Sequence, residues 1–141
     1  MFDKVGVIGA GLMGSEIALV CALAGRHVLL ADTSDEALVR ARDGLARVLD
    51  KGLQRGFYAP GLGDAALARI VTTTDLSAFA DRDLVTEAVF ENEEIKAGIF
   101  RVLDQVCRAD AVIASNTSTI SITGLASYVS AGRRGRFLGT H

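Results

Sequence analysis

A short apolar run at residues 5–8 stops at three glycines spaced G-x-G-x-x-G, in Gly9-Ala10-Gly11-Leu12-Met13-Gly14. A helical apolar pattern begins at once, with Met13, Ile17, Val20, Cys21 and Ala24 recurring at steps of three and four. The succession reads as a buried strand turning sharply into a helix. Each glycine has its own reason in such a turn. Gly9 permits the tight bend, Gly11 lets backbone N–H groups approach a diphosphate, and Gly14 lets helix pack close on strand. The helix start carries unpaired N–H groups and roughly half a positive charge, which suits an anion. Three glycines alone are a weak signal, so the neighbouring residues decide.

A second apolar run, Val28-Leu29-Leu30-Ala31, ends in Asp32. That acid lies near the ~20-residue offset at which a carboxylate meets an adenosine ribose 2′-hydroxyl. It would repel a 2′-phosphate, and Thr33 and Ser34 bring no arginine to receive one, so NAD is favoured over NADP. The competing reading makes Asp32 a helix cap and the glycines an ordinary turn. Strand, glycines, helix, strand and acid in that order favour the dinucleotide.

Half of the 141 residues are apolar, which supplies a core for one domain spanning 1–141. A formal charge of −2 gives no support to nucleic-acid binding, which normally shows a basic excess. No apolar stretch is long enough to cross a bilayer, and the glycine motif leaves no room for a signal peptide before it. A cytoplasmic setting is expected. Cys21 and Cys107 lie in apolar helical patterns and read as small hydrophobes, with no metal site.

Further along, Gly25 suits the left-handed position that closes a helix. Thr33 or Ser34 can cap a long second helix with the stripe Leu38, Ala41, Leu45, Val48 and Leu49. Its outer face carries Arg47, Lys51 and Arg55, either for an anionic partner or as a solvated face on which Asp43 pairs with Arg47. Residues 56–63, around Pro60, form a loop, and a short helix over 64–68 follows. Strands are expected at 70–73, 84–88 and 111–114, with a sixth starting at Phe137-Leu138-Gly139. Between the fourth and fifth, a helix presents Ile95, Ile99, Val102, Leu103 and Val106 on one face, with Asn92, Glu93 and Glu94 at its positive end. Asn116 or Ser118 can cap a further helix near 120–125. Alternating strands and amphipathic helices specify an α/β fold, a Rossmann-type doubly wound and mainly parallel sheet with helices on both faces. Ligands of such sheets sit beyond the carboxyl ends of the strands.

Two of those ends are distinctive. One is Glu87-Ala88-Val89-Phe90-Glu91-Asn92, with Lys96 one turn into the next helix; the other is Ser115-Asn116-Thr117-Ser118-Thr119. The chain closes on Phe137-Leu138-Gly139-Thr140-His141. With the glycine motif, these resemble the NAD-binding domain of the L-3-hydroxyacyl-CoA dehydrogenase family, which includes 3-hydroxybutyryl-CoA dehydrogenases. The resemblance covers essentially the whole chain. It implies NAD as cofactor, with Gly9, Ala10, Gly11, Leu12, Met13, Gly14 and Asp32 at the diphosphate and adenosine ribose. Glu91 and Lys96 match nicotinamide-side contacts, Ser118 a serine near both substrate and cofactor, and His141 the catalytic histidine. Arg55 falls where the family has a lysine contacting CoA, so the cation is kept. Val48 falls where some members have a serine contacting CoA, so that contact is lost.

The implied chemistry is the NAD-dependent oxidation of (S)-3-hydroxyacyl-CoA to 3-ketoacyl-CoA, as in fatty acid metabolism. A neutral histidine, with an ordinary pKa of about 6.5, takes the alcohol proton near neutral pH, and a serine hydroxyl holds the same oxygen. In the family, the histidine is followed by an Asn-Pro segment, a glutamate that orients the imidazole, and a helical substrate and dimerisation domain. Residues 1–141 include none of these, so the chain reads as a fragment of a homodimeric enzyme. It is expected to keep the NAD site, to turn over weakly or not at all alone, and to expose apolar surface. Two other readings compete: another Rossmann β-hydroxyacid dehydrogenase, which shares G-x-G-x-M-G, and a non-catalytic dinucleotide-binding module.

Overall fold

The computed structural model describes residues 1–141. Six strands, β1 (Lys4–Ile8), β2 (His27–Ala31), β3 (Ile70–Thr73), β4 (Leu84–Glu87), β5 (Val112–Ser115) and β6 (Phe137–Gly139), form one sheet. Its order is β3-β2-β1-β4-β5-β6, and every neighbouring pair is parallel. Helices α1 (Leu12–Leu23), α2 (Asp35–Gln54), α3 (Leu62–Ala68) and α4 (Glu93–Val106) carry the longer connections, and α5 (Ile122–Leu125) and α6 (Ala131–Arg134) are single turns. This is the doubly wound fold expected from the sequence. The chain winds outward from β1 to β3, then returns to the other side of β1 at β4.

Strands covered on both faces read as unbroken apolar runs, and side-chain alternation divides them between two cores. Val5, Val7, Val28 and Leu30 face α1, α2 and α3, meeting Ala18, Leu19, Leu38 and Leu45. Ile8, Leu29, Val85 and Ile113 face the other way, toward Phe100 and Leu103 of α4. Gly6 matters to the second core. A Cβ there would lie 2.5 Å from Phe79 Cε1, so the glycine makes room for that fully buried ring.

Two helices are turned part-way from the face expected: Ile17 and Cys21 of α1 and Ile99, Leu103 and Val106 of α4 pack on the cores, but other expected residues do not. Helix α1 buries Gly14, Ser15, Ala18, Leu19 and Ala22, whereas Met13 and Val20 are 50% and 65% exposed. Most residues of α1 are apolar, so apolar periodicity does not choose a face; close approach to the sheet does, and apart from Leu19 it selects small side chains. Helix α4 buries Lys96, Ala97, Phe100 and Leu103, leaving Ile95 and Val102 largely exposed. Its rotation follows Lys96, which is drawn inward by an ion pair. In α2, Leu38, Ala41, Leu45 and Leu49 are buried as expected, but Val48 is exposed. Gly25 takes its left-handed φ of 81°. Asp43 and Arg47 form no ion pair. Ser121, neither Asn116 nor Ser118, caps α5 by accepting from the Gly124 N–H. Cys107 is buried and Cys21 only partly so; both are free.

Helix α6, which the sequence did not announce, exists to deliver Arg133. That side chain is 5% exposed. Its Nε donates to Asp104 Oδ1 at 2.7 Å, Nη1 to the carbonyls of Arg108 and Ala111, and Nη2 to those of Asp104 and Cys107. A cation thus closes the C-terminal end of α4, where carbonyls lack helical partners. Burial works against ionisation of Asp104, but Arg133 and Ser130 outweigh it and hold its carboxyl below the usual range. Removing one partner of a buried pair strands the other, so Arg133→Ala should destabilise the fold by about 3 kcal/mol in urea unfolding. A loss under about 1 kcal/mol would contradict the assignment.

The amino ends of the strands are stapled by acids as well. Asp83 accepts the N–H groups of Asp3 and Lys4 at 2.8 Å, and Lys4 followed by Arg82 pulls the Asp81 carboxyl down to about 2. Groups depressed on folding contribute stability above their unfolded pKa and lose it as pH falls through the folded value. The urea midpoint should therefore be flat above about pH 5 and fall between about pH 4 and about pH 2. A midpoint unchanged down to about pH 2 would contradict these pairings.

Candidate functional site

The carboxyl ends of the central strands lie level. Ile8 pairs in register with Ala31 and Glu87, Glu87 with Ser115, and Ser115 with Gly139. The reversal of winding between β1 and β4 opens a crevice at this crest, where doubly wound sheets take their ligands.

The glycines line its floor. Gly9 has φ 103°, and a Cβ there would lie 2.6 Å from the Ala88 carbonyl oxygen. A Cβ on Gly14 would collide with the Gly9 carbonyl oxygen. Gly11 differs from both. Its φ is an ordinary −70°, and nothing lies within 4 Å of where its Cβ would be. The space above Gly11 is open. As the N-cap of α1, Gly11 supplies no side chain to the helix start, and no acid occupies the first turn. The first N–H groups of α1 and its positive dipole end therefore face the crevice unneutralised.

Asp32 sits against this turn, as the NAD reading requires. Its Oδ2 accepts from the Ala10 N–H at 2.9 Å and its Oδ1 from the Ser34 N–H at 3.1 Å. Half-buried, it retains accepting capacity toward the crevice. Ala10 is buried, whereas Leu12 and Met13 are exposed beside the opening.

Across the crevice, β4, β5 and α4 bring Glu91 and Lys96 together, with three residues the sequence did not single out. Lys96 is fully buried and donates to Glu87 Oε1 at 2.6 Å. It also lies 3.3 Å from Glu91 Oε1, so it meets the crevice through Glu91. Glu91 Oε2 accepts from the hydroxyls of Thr117 at 2.6 Å and Thr119 at 2.9 Å. Thr117 first, then Thr119 and Lys96, outweigh desolvation and hold the Glu91 carboxyl below its usual range. Of the missed residues, Glu87 had a legible clue, an acid closing an apolar strand ahead of a lysine on an otherwise apolar helix face; Thr117 and Thr119 enter only through their bonds to Glu91.

Ser118, between the two threonines, is exposed and makes no side-chain hydrogen bond. His141 is exposed just past β6, whose end is tied to β5 by the Thr140 N–H on the Ser115 carbonyl at 2.9 Å. Arg55 stands apart as the exposed C-cap of α2, and Val48 is exposed on the same helix. No hydrogen bond or ion pair joins either to the crest.

Parallel sheet, glycine turn, uncapped helix start and the acid just past β2 together define a Rossmann dinucleotide-binding domain. Comparison with known proteins narrows the class. The chain belongs to the 3-hydroxyacyl-CoA dehydrogenase family, whose NAD-binding domain it matches over residues 4–141. It is 43% identical over 138 residues to the probable 3-hydroxybutyryl-CoA dehydrogenase of Deinococcus radiodurans, covering 98% of this chain and 49% of that protein. Against the mitochondrial hydroxyacyl-coenzyme A dehydrogenase of Sus scrofa, identity is 38% over 147 residues, covering 100% and 46%. The crystal structure of 3-hydroxybutyryl-CoA dehydrogenase from Escherichia coli K12 superposes with a TM-score of 0.95 at 40% identity, covering 100% of this chain and 29% of that one. The chain spans about half the length of the first two relatives. The cofactor of the family's domain is NAD, and the open space at Gly11, the uncapped helix and Asp32 fit it.

Two glycine substitutions separate folding from binding. Gly14→Ala should destabilise by about 1–3 kcal/mol or more through overpacking. Gly11→Ala should change stability by less than about 1 kcal/mol, yet weaken NADH at least about tenfold by filling the space a diphosphate needs. Calorimetric titration with NADH checks this, and full affinity in Gly11→Ala would place the diphosphate elsewhere.

Proposed function

We propose that the intact protein interconverts (S)-3-hydroxyacyl-CoA and 3-ketoacyl-CoA, and that residues 1–141 supply its cofactor half and the catalytic pair His141 and Ser118. The observation that carries this reading is the level crest. It sets Ser118 and His141 at the ends of adjacent strands, on the side of the crevice opposite Asp32. Asp32 binds the adenosine ribose, the α1 N-terminus holds the diphosphate, and Glu91 contacts the nicotinamide side with Lys96 behind it. Bound NAD supplies the hydride acceptor. His141 takes the proton of the 3-hydroxyl as hydride leaves the same carbon, and returns it in the reductive direction. Ser118 donates to that oxygen and fixes it within reach of the imidazole. Arg55 meets an anionic part of CoA. A homodimer in the cytoplasm is the setting the family reading carries with it.

Loss of NADH absorbance on adding acetoacetyl-CoA tests the reading. The intact protein should turn over, and His141→Gln should lower kcat by about 10²–10⁴-fold with the KM for NADH unchanged. Within residues 1–141 the imidazole has no hydrogen-bonded partner, so this chain alone should bind NADH and turn over weakly or not at all. Activity retained within about tenfold in His141→Gln would remove the histidine from the chemistry.

A further inference from the structure

The least economical feature of the molecule is a carboxylate and an ammonium that water does not reach. Glu87 ends β4 at 0% exposure, and Lys96 in α4 is also 0% exposed. Glu87 neighbours Ile8 on one side and Ser115 on the other, at a level where β1 and β2 carry Ile8 and Ala31. Desolvating such a pair costs several kcal/mol per ion, and an apolar pair of equal volume commonly holds a fold as well or better. Burial alone therefore does not account for these two residues.

Their bonds show what they do. Glu87 uses both oxygens: Oε1 accepts from the Val89 N–H at 2.7 Å and from Lys96 Nζ at 2.6 Å, and Oε2 accepts from Ser115 Oγ at 2.6 Å. Lys96 passes the connection to Glu91 at 3.3 Å, and Glu91 passes it to Thr117 and Thr119. The Asn116 N–H returns to the Glu87 carbonyl at 2.8 Å. The circuit is closed. It joins the end of β4, the first turn of α4 and the loop after β5, and it holds Thr117 and Thr119, the residues on either side of Ser118.

We propose that Glu87 is a positioning residue for the nicotinamide half of the site. Through Lys96 it sets Glu91, and through Ser115 it sets the loop that carries Ser118. Glu87 itself reaches no open surface and contacts neither cofactor nor substrate. Its side chain bonds none of Gly9, Gly11, Gly14 or Asp32 and reaches the glycine turn only through the Val89 N–H behind Gly9, so the adenosine half depends on it less than the nicotinamide half does. This rests on the NAD reading of the crevice.

The test compares two ligands on the intact protein by calorimetry: NADH, and ADP-ribose, which keeps the adenosine diphosphate half and lacks the nicotinamide. Glu87→Gln preserves shape and removes the charge that holds Lys96. It should weaken NADH about tenfold, the scale of one lost charged hydrogen bond, and leave ADP-ribose within about twofold. Equal loss for both ligands, or loss for neither, overturns the proposal. Ser115→Ala cuts only the Oε2 tether and covers the case in which Glu87→Gln does not fold. It should weaken NADH by about threefold with ADP-ribose unchanged, and equal loss for both ligands, or loss for neither, overturns the proposal there too. Failure of the unmodified protein to bind either ligand would instead defeat the NAD reading itself.

Discussion

The structure depends on how closely α1 approaches the sheet at its first turn. Gly14 sits on the Gly9 carbonyl and Gly9 against Ala88, so helix, β1 and β4 meet with no side chain between them. Gly14, Ala18 and Ala22 continue that contact along the buried face of the helix. The closeness has an electrostatic consequence. It brings the helix start down to the level of the strand ends, so its unpaired N–H groups open directly above the crevice. Asp32 completes the arrangement by tying the Ala10 N–H to the end of β2. A larger residue at position 14 would lift the helix and, with it, the anion-binding end.

Charge is distributed by end of the sheet. At the amino ends, Asp81 and Asp83 are consumed by Lys4, Arg82, Arg108 and backbone N–H groups. Behind β5, Arg133 is consumed by Asp104 and four carbonyls. These groups hold parts together and offer little to a ligand. At the carboxyl ends the balance is different. Glu87 and Glu91 share the single cation Lys96, which leaves one negative charge in excess beside the crevice, opposite the positive end of α1. The helix start suits a diphosphate, while the carboxylates of Asp32 on one flank and Glu91 on the other suit groups without negative charge.

The residues that were legible in the sequence act through backbone shape or through simple alternation. The glycine turn, Asp32, Gly25 and the strand positions follow from conformational freedom and from apolar runs, which are local properties. What escaped depends on partners distant in the chain. Helix α1 offered apolar residues all round, and only the sheet beneath it selected the face of Gly14, Ala18 and Ala22. Lys96 looks like a surface residue until Glu87 is placed beside it, and that pairing then turns Ile95 outward. Arg133 has no meaning without the carbonyls at the end of α4. The family resemblance pointed to Ser118 and His141, but it said nothing about what holds Ser118 in place.

The run after β5 resolves that last question by elimination. Ser115 gives its hydroxyl to Glu87, and Asn116 gives its N–H to the Glu87 carbonyl. Thr117 donates to Glu91 while accepting from the N–H groups of Thr119 and Ile120, so it fixes the loop from both sides. Thr119 also donates to Glu91. Only the Ser118 hydroxyl is left unclaimed, and it is exposed. A hydroxyl whose neighbours on both sides are bound to one carboxylate is held in place without spending its own hydrogen bond. Under the proposed function it can therefore donate to the substrate oxygen without first breaking a bond to the protein, which is the condition for a preorganised polar contact.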